Sequence, residues 1–291
     1  MSADVKSLVS LGRRLTHGFF LPHFAKQINH YARAGLFRHI QTVCDEVIKK
    51  RGKDPTLVFW KSYALAMEGS HAEAVRTLEA VASHRDIEFP ATCALIHYHR
   101  SSRKVDRSAI GALEATLKSA EERSSPGSKI LAATFYLHVE QHGRARAYID
   151  KVLETNPDDV QALIVSGWID LLLPRNSKRN IEKIHSSVEI FNRVLELSGT
   201  KKELEALMGK ARYHMNKREY EAATESLNQA MVMYPWFVPA LLEKAIILLM
   251  QDEYEGAVEL CEKVLEQDPT NVQCLRLIPF MNLTREYNPS S

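Results

Sequence analysis

Two histidines in the stretch HVEQH, His138 and His142, stand four residues apart. On a single helix that spacing presents both imidazoles from one face, as a zinc ion requires. A zinc peptidase of the HExxH kind also needs its glutamate directly after the first histidine. Val139 occupies that place and Glu140 follows it, so the general base is out of register and no metal is expected. His97 and His99 in IHYHR are two apart and diverge on a helix, one facing a groove and the other packing. The basic run KKRGK (residues 49–53) could draw phosphates, yet it ends a helix, where cations complement the dipole. With no aromatics between its charges it does not read as a nucleic-acid site. There is no glycine-rich phosphate loop and no GxSxG. The four cysteines, Cys44, Cys93, Cys261 and Cys274, are far apart and lack a CxxC spacing, the pattern of reduced thiols in a cytosolic protein. The sequence therefore reads as non-enzymatic, with no cofactor.

The elements beneath these residues are written twice near the end of the chain. REYEAATESLNQAMVMYP (218–235) and DEYEGAVELCEKVLEQDP (252–269) agree at an offset of 34 residues. Tyr220 aligns with Tyr254, Ala223 with Ala257, Ala211 with Ala245 and Pro235 with Pro269. A shift of 78 residues brings Pro157, Ala145 and Ala133 onto the same positions, and Phe37, Ile40 and Cys44 map onto His71, Ala74 and Leu78. Each unit reads as two helices. A small residue on each lets the pair approach closely, an aromatic opens the second helix (His142 falls on this position), and a proline stops it. One such hairpin cannot bury its apolar stripe alone, so neighbours must stack. This is the tetratricopeptide pattern. The fold expected is all-α, a right-handed superhelix of about seven helix pairs plus a partial eighth. Units begin near residues 21, 55, 89, 126, 160, 204 and 238. Residues 1–20 are read as an extension or capping helix, 21–271 as seven repeats, and 272–291 as the first helix of a truncated eighth. Pro279 falls on that helix's small-residue position and is expected to kink it. The segment LLLPRNSKRNIEKIHS in the fifth unit reads as an insertion forming a surface loop.

Composition agrees with an ordinary globular chain, too apolar for disorder: 45% hydrophobic, 25% charged and a net charge of +2 over 291 residues. The neutral sum hides a gradient. Residues 1–53 hold ten Lys/Arg against three Asp/Glu, and residues 238–271 hold two against eight. No apolar run reaches the ~18 residues a membrane helix needs, because Glu243 and Lys244 interrupt ALLEKAIILLM. No direct membrane insertion is expected. Residues 1–24 faintly resemble a transit peptide, but Asp4 and Pro22 oppose that reading.

In such an array, the first helices line a groove. On the register above the lining includes Phe59, Tyr63, Met67, Ile164, Trp168, Met208, Arg212, Met215, Leu242, Ile246 and Met250. Methionine and aromatic side chains suit an amphipathic helix or an extended apolar peptide. The same residues could instead pack against other turns of the array, and both readings stay open. The carboxylate clamp of co-chaperone tetratricopeptide domains needs Lys, Asn and Arg in the groove. Phe59, Trp60, Tyr63 and Ala94 stand there instead, and only Asn29 falls on a clamp position.

The wording of CALIHYHRSSRKVDRSAIGALEATLK, HGRARAYIDKVLE, ALIVSGWIDLL and FVPALLEKAIILLMQDEYEGAVELCEKVLEQDPTNVQCLRL resembles one family. It is the tetratricopeptide-repeat subunit of intraflagellar transport complex A, the tetratricopeptide repeat protein 21 family. The resemblance runs from about Gln27 to Arg285 and includes residues outside the repeat template, such as Tyr148, Ile149, Asp150, Trp168 and Asp170. Family members are several times longer, so the chain resembles their N-terminal portion, and LRLIPFMNLTREYNPSS does not read as the polar cap that ends a solenoid, so the array looks cut there. Residues 1–24 lie before the family's usual start, and the loop LPRNSKRNIEKIH departs from its pattern. The resemblance implies a non-enzymatic scaffold supporting retrograde transport in cilia or flagella and the entry of membrane cargo. It implies other complex A subunits and cargo adaptors as partners, and a cytoplasmic, basal-body and axonemal location. The alternative is a generic cytosolic adaptor that binds an apolar or amphipathic peptide in its groove.

Overall fold

A computed structural model describes residues 20–103, 105–267, 269 and 271–287. The readings of residues 1–19 as an extension or a transit peptide lie outside the described residues. The described chain is helical throughout, with fifteen helices. The first helices are α1 (Phe20–Arg33), α3 (Pro55–Met67), α5 (Glu88–Ser101), α7 (Pro126–His138), α9 (Val160–Leu171), α11 (Leu204–Lys217), α13 (Val238–Met250) and α15 (Val272–Tyr287). The second helices are α2 (Phe37–Arg51), α4 (His71–Glu79), α6 (Arg107–Arg123), α8 (His142–Thr155), α10 (Lys178–Leu197), α12 (Tyr220–Met233) and α14 (Tyr254–Gln267). The chain divides into two compact units. An N-terminal unit spans Gln27–Ile184, and a C-terminal unit comprises the described residues from His185 onward together with residues 20–26.

Local sequence sets both ends of the hairpins. Several helices begin on a side chain that caps their free N–H groups. Asp54 accepts from Thr56 N and Leu57 N, Ser125 from Ser128 N, Asp159 from Ala162 N and Asn271 from Cys274 N. Pro55 and Pro126 occupy first-turn positions, where no N–H is missed. In five of the seven helix pairs the chain turns through a left-handed residue: Gly35, Gly69, Glu140, Arg218 or Asp252. Each corner makes the same two backbone bonds. In the sixth hairpin Glu219 N donates to His214 O at 2.9 Å and Arg218 N to Met215 O at 3.0 Å.

The aligned small residues are where the helices meet. Ala133, Ala145, Ala211, Ala223, Ala245 and Ala257 are all buried, as are Ile40, Cys44, Ala74 and Leu78 in the earlier hairpins. The all-α repeat class expected from the sequence is the fold observed. First helices sit deepest: α3 and α9 are apolar nearly all round and bury most of their length.

The fifth hairpin departs from expectation. Only residues 172–177 form a loop, and the rest of the supposed insertion is helix, which lengthens α10 to 20 residues. The reason lies in its periodicity. Ile184, Ser187, Phe191, Val194 and Leu195 recur at helical spacing and are buried, so continuing the helix satisfies both backbone and apolar face. Pro279 lies within α15, is exposed, and withholds the N–H that would reach the Leu275 carbonyl.

Candidate functional site

In the N-terminal unit the first-helix face is filled by its own side chains. Phe135 of α7 meets Phe59 of α3 at 5.9 Å between ring centres, Tyr63 at 6.2 Å and Tyr98 of α5 at 6.0 Å. Successive first helices thus close on one another, α3 reaching α7 past α5 in edge-to-face contacts. The last turns of α1 complete this packing. Asn29 Oδ1 lies 3.3 Å from His138 Nε2, and the Arg33 guanidinium covers the Trp168 ring at 3.9 Å. Asn29, the one residue on a clamp position, is thus engaged by a histidine. Phe59, Tyr63, Ile164 and Trp168 are buried here, while Met67 at the end of α3 is 39% exposed.

The histidines are placed by the same packing. His138 closes α7 and His142 opens α8, with the left-handed Glu140 between them. They do not share a helix, which removes the face that the zinc reading needs. His138 lies edge-to-face with Trp60 and tilted against Tyr63, and burial, aided by Arg33, pushes its pKa down to about 3. His97 Nδ1 lies 3.0 Å from Gln141 Nε2, and burial lowers its pKa too. Among the described residues no group of three His, Cys, Asp or Glu is arranged to hold a metal ion. Burial raises the pKa of Cys44 and pushes Cys93 up to about 12, so both thiols stay protonated at neutral pH.

Asp170 and Trp168, both outside the repeat template, are each engaged by an arginine of another helix. Arg146 of α8 donates to Ser166 Oγ at 2.7 Å and pairs with Asp170, both on α9. Burial raises the Asp170 carboxyl above its ordinary range, and Arg146 pulls against that shift. With Trp168 beneath Arg33, the residues least explained by the repeat serve packing.

The C-terminal unit is more open. Met208 and Leu242 are buried, Met215 and Ile246 half-buried, and Arg212 exposed. Met250 is 55% exposed. Arg212 of α11 bonds Glu243 of α13 at 2.8 Å, tying neighbouring first helices. Two further residues belong to this strip: Leu249, half-buried, and Phe280 of α15, 57% exposed. The sequence held the signal for both. Leu249 is Met215 and Phe280 is Ile246, each moved on by 34 residues. Met215, Ile246, Leu249, Met250 and Phe280 thus offer an apolar strip on the first-helix face, suited to an apolar or amphipathic protein segment.

Among the described residues no helix is long and apolar enough to cross a membrane. Comparison with known proteins bears on the fold and the lineage. Solved tetratricopeptide-repeat proteins share the fold. One from Thermus thermophilus superposes with a TM-score of 0.52 at 14% identity, covering 68% of this chain and 97% of that one. One from Parabacteroides merdae gives 0.50 at 16% identity, covering 81% and 88%. Tetratricopeptide repeat protein 21B of Xenopus laevis is 30% identical over 266 residues, which covers 89% of this chain and 20% of that protein. Human tetratricopeptide repeat protein 21A is 31% identical over 263 residues, covering 90% and 19%. The chain therefore spans about a fifth of the length of these relatives. The family described as "Tetratricopeptide repeat protein 21 N-terminal ARM repeat" matches residues 28–258. With that match over most of its length, the chain belongs to the tetratricopeptide repeat protein 21 family.

Proposed function

We propose that the chain is the docking portion of a non-enzymatic scaffold in intraflagellar transport complex A. In this reading it supports retrograde transport in cilia or flagella and the ciliary entry of membrane cargo. Its partners are other complex A subunits and cargo adaptors, and it works in the cytoplasm, at the basal body and along the axoneme. Residues 21–271 act as seven repeats and residues 272–291 as the first helix of an eighth. The observation that carries the reading is the apolar strip of the C-terminal unit, with Met250 and Phe280 more than half exposed. Of the groove residues, Met67, Arg212, Met215, Ile246 and Met250 are those a partner reaches. Phe59, Tyr63, Ile164, Trp168, Met208 and Leu242 hold the shape of the face from within. The methionines of the strip favour one second reading, a generic adaptor for apolar or amphipathic peptides.

The test is affinity capture of the full-length protein from ciliated cells, with and without Met250→Asp and Phe280→Asp. Loss of complex A subunits at an unchanged melting temperature is the expected result. Undiminished recovery of those subunits would sink the assignment of the strip. Recovery of short apolar peptides alone would favour the generic adaptor.

A further inference from the structure

A second surface lies at the opposite end of α13 from the strip. A cavity of about 250 Å³ opens between the end of α12, the turn after it, the start of α13 and the end of α14. Met231, Tyr234, Phe237 and Leu241 give it apolar walls, and Lys263 and Glu266 stand at its rim. Beside it Val232 is 81% exposed and Met233 is 36% exposed. The cavity is smaller than the roughly 300–1,000 Å³ usual for small-molecule sites. It exceeds the roughly 150 Å³ that admits benzene. Its size suits one leucine- or phenylalanine-sized side chain brought by a protein.

Charge narrows the partner. Residues 219–271 hold eleven Asp/Glu and two lysines. Both lysines are already engaged: Lys263 pairs with Glu259 at 2.6 Å and Lys244 bonds Asn228 at 2.8 Å. Glu259, Glu262 and Glu266 follow one another along the outer side of α14, three and four residues apart, and are exposed. That row ends at the cavity. The exposed carboxylates beside the cavity repel nucleic-acid phosphates and anionic lipid and attract Lys and Arg, and Lys26, over the Tyr234 ring at 5.0 Å, is already paired with Glu203 at 2.9 Å.

We propose that this edge docks a basic amphipathic helix of a partner protein. One apolar side chain of the helix enters the cavity, and Val232 and Met233 pack against its next turn. Its Lys or Arg residues meet Glu259, Glu262 and Glu266. The surface is separate from the strip on the first-helix face, and its failure would be visible separately.

The probe is a synthetic helix of leucine and lysine about four turns long, with leucines at i, i+3, i+4 and i+7. A leucine–glutamate helix of the same pattern is the control, and binding to the whole chain is read by fluorescence anisotropy. The lysine helix should bind, and more weakly as salt rises. Val232→Asp, and separately Glu262→Lys with Glu266→Lys, should each weaken it about tenfold or more. All three positions are exposed, so folding is spared. Binding is read in a chain carrying Met250→Asp and Phe280→Asp, which denies the probe the strip, and there Glu122→Lys on α6 should leave the affinity unchanged. The proposal is overturned by an equal loss in Glu122→Lys, which would mean diffuse attraction. It is equally overturned by full affinity in Val232→Asp, by absence of binding in the strip-blocked chain, or by preference for the glutamate helix.

Discussion

Arg218 and Asp252 hold the same corner of successive hairpins, with φ of 60° and 63°. A side chain in that region strains against its own backbone, which glycine at Gly35 and Gly69 avoids. Arg218→Gly should therefore stabilise the chain by up to about 1 kcal/mol in urea unfolding, part of the relief being offset by the entropy of glycine in the unfolded state. Asp252→Gly should gain less, because Asp252 Oδ1 accepts the Tyr254 hydroxyl at 2.9 Å. His138 makes a second residue-scale prediction. Its pKa in the folded chain lies below its ordinary 6.5, so the unfolded chain takes up the proton first as pH falls. The stability it contributes is whole above 6.5 and declines toward 3, by at most about 1.4 kcal/mol per pH unit. Burial of His97 acts in the same direction. His138→Phe keeps a ring beside Trp60 and Tyr63 and should flatten the dependence of unfolding free energy between about pH 7 and about pH 5.

At the scale of the element, close approach decides stability. Ala223 and Ala257 are fully buried where paired helices touch. Ala223→Trp or Ala257→Trp should destabilise the array by several kcal/mol, about the upper end of overpacking costs, and thermal melting reads the loss. Unchanged melting in both would refute the register. Gly209 is a tighter case, since a Cβ there would overlap the Phe191 ring of α10. The spacing of these small residues made the helix pairs legible in the sequence, because 34-residue recurrence reports packing directly. Of these left-handed corners, only Gly35 and Gly69 carry glycine, the residue that suits them. Glu140, Arg218 and Asp252 bear no mark in the sequence, since tertiary packing overrides a local preference of about 1 kcal/mol. The length of α10 was hidden for a different reason: LPRNS carries turn residues, and their signal masked the apolar stripe from Ile184 to Leu195.

At the scale of the molecule, periodicity named the residues of the first-helix face but not what lies opposite them. Nothing local to Trp168 announces Arg33, or to His138 announces Asn29, because those contacts span more than a hundred residues. Face and exposure therefore part company between the two units. Phe59→Ala or Trp168→Ala should each cost about 3 to 5 kcal/mol and lower the melting temperature. Met250→Asp should leave melting unchanged while altering what the protein captures. The left-handed corners open one more use. Glu140, Arg218 and Asp252 are exposed, their backbone bonds do not involve the side chain, and Cys44, Cys93, Cys261 and Cys274 are buried. Arg218→Cys and Asp252→Cys would therefore take up a thiol-reactive dye while the native sulfurs stay silent, turning adjacent hairpins into the two ends of a spectroscopic ruler for breathing along the stack.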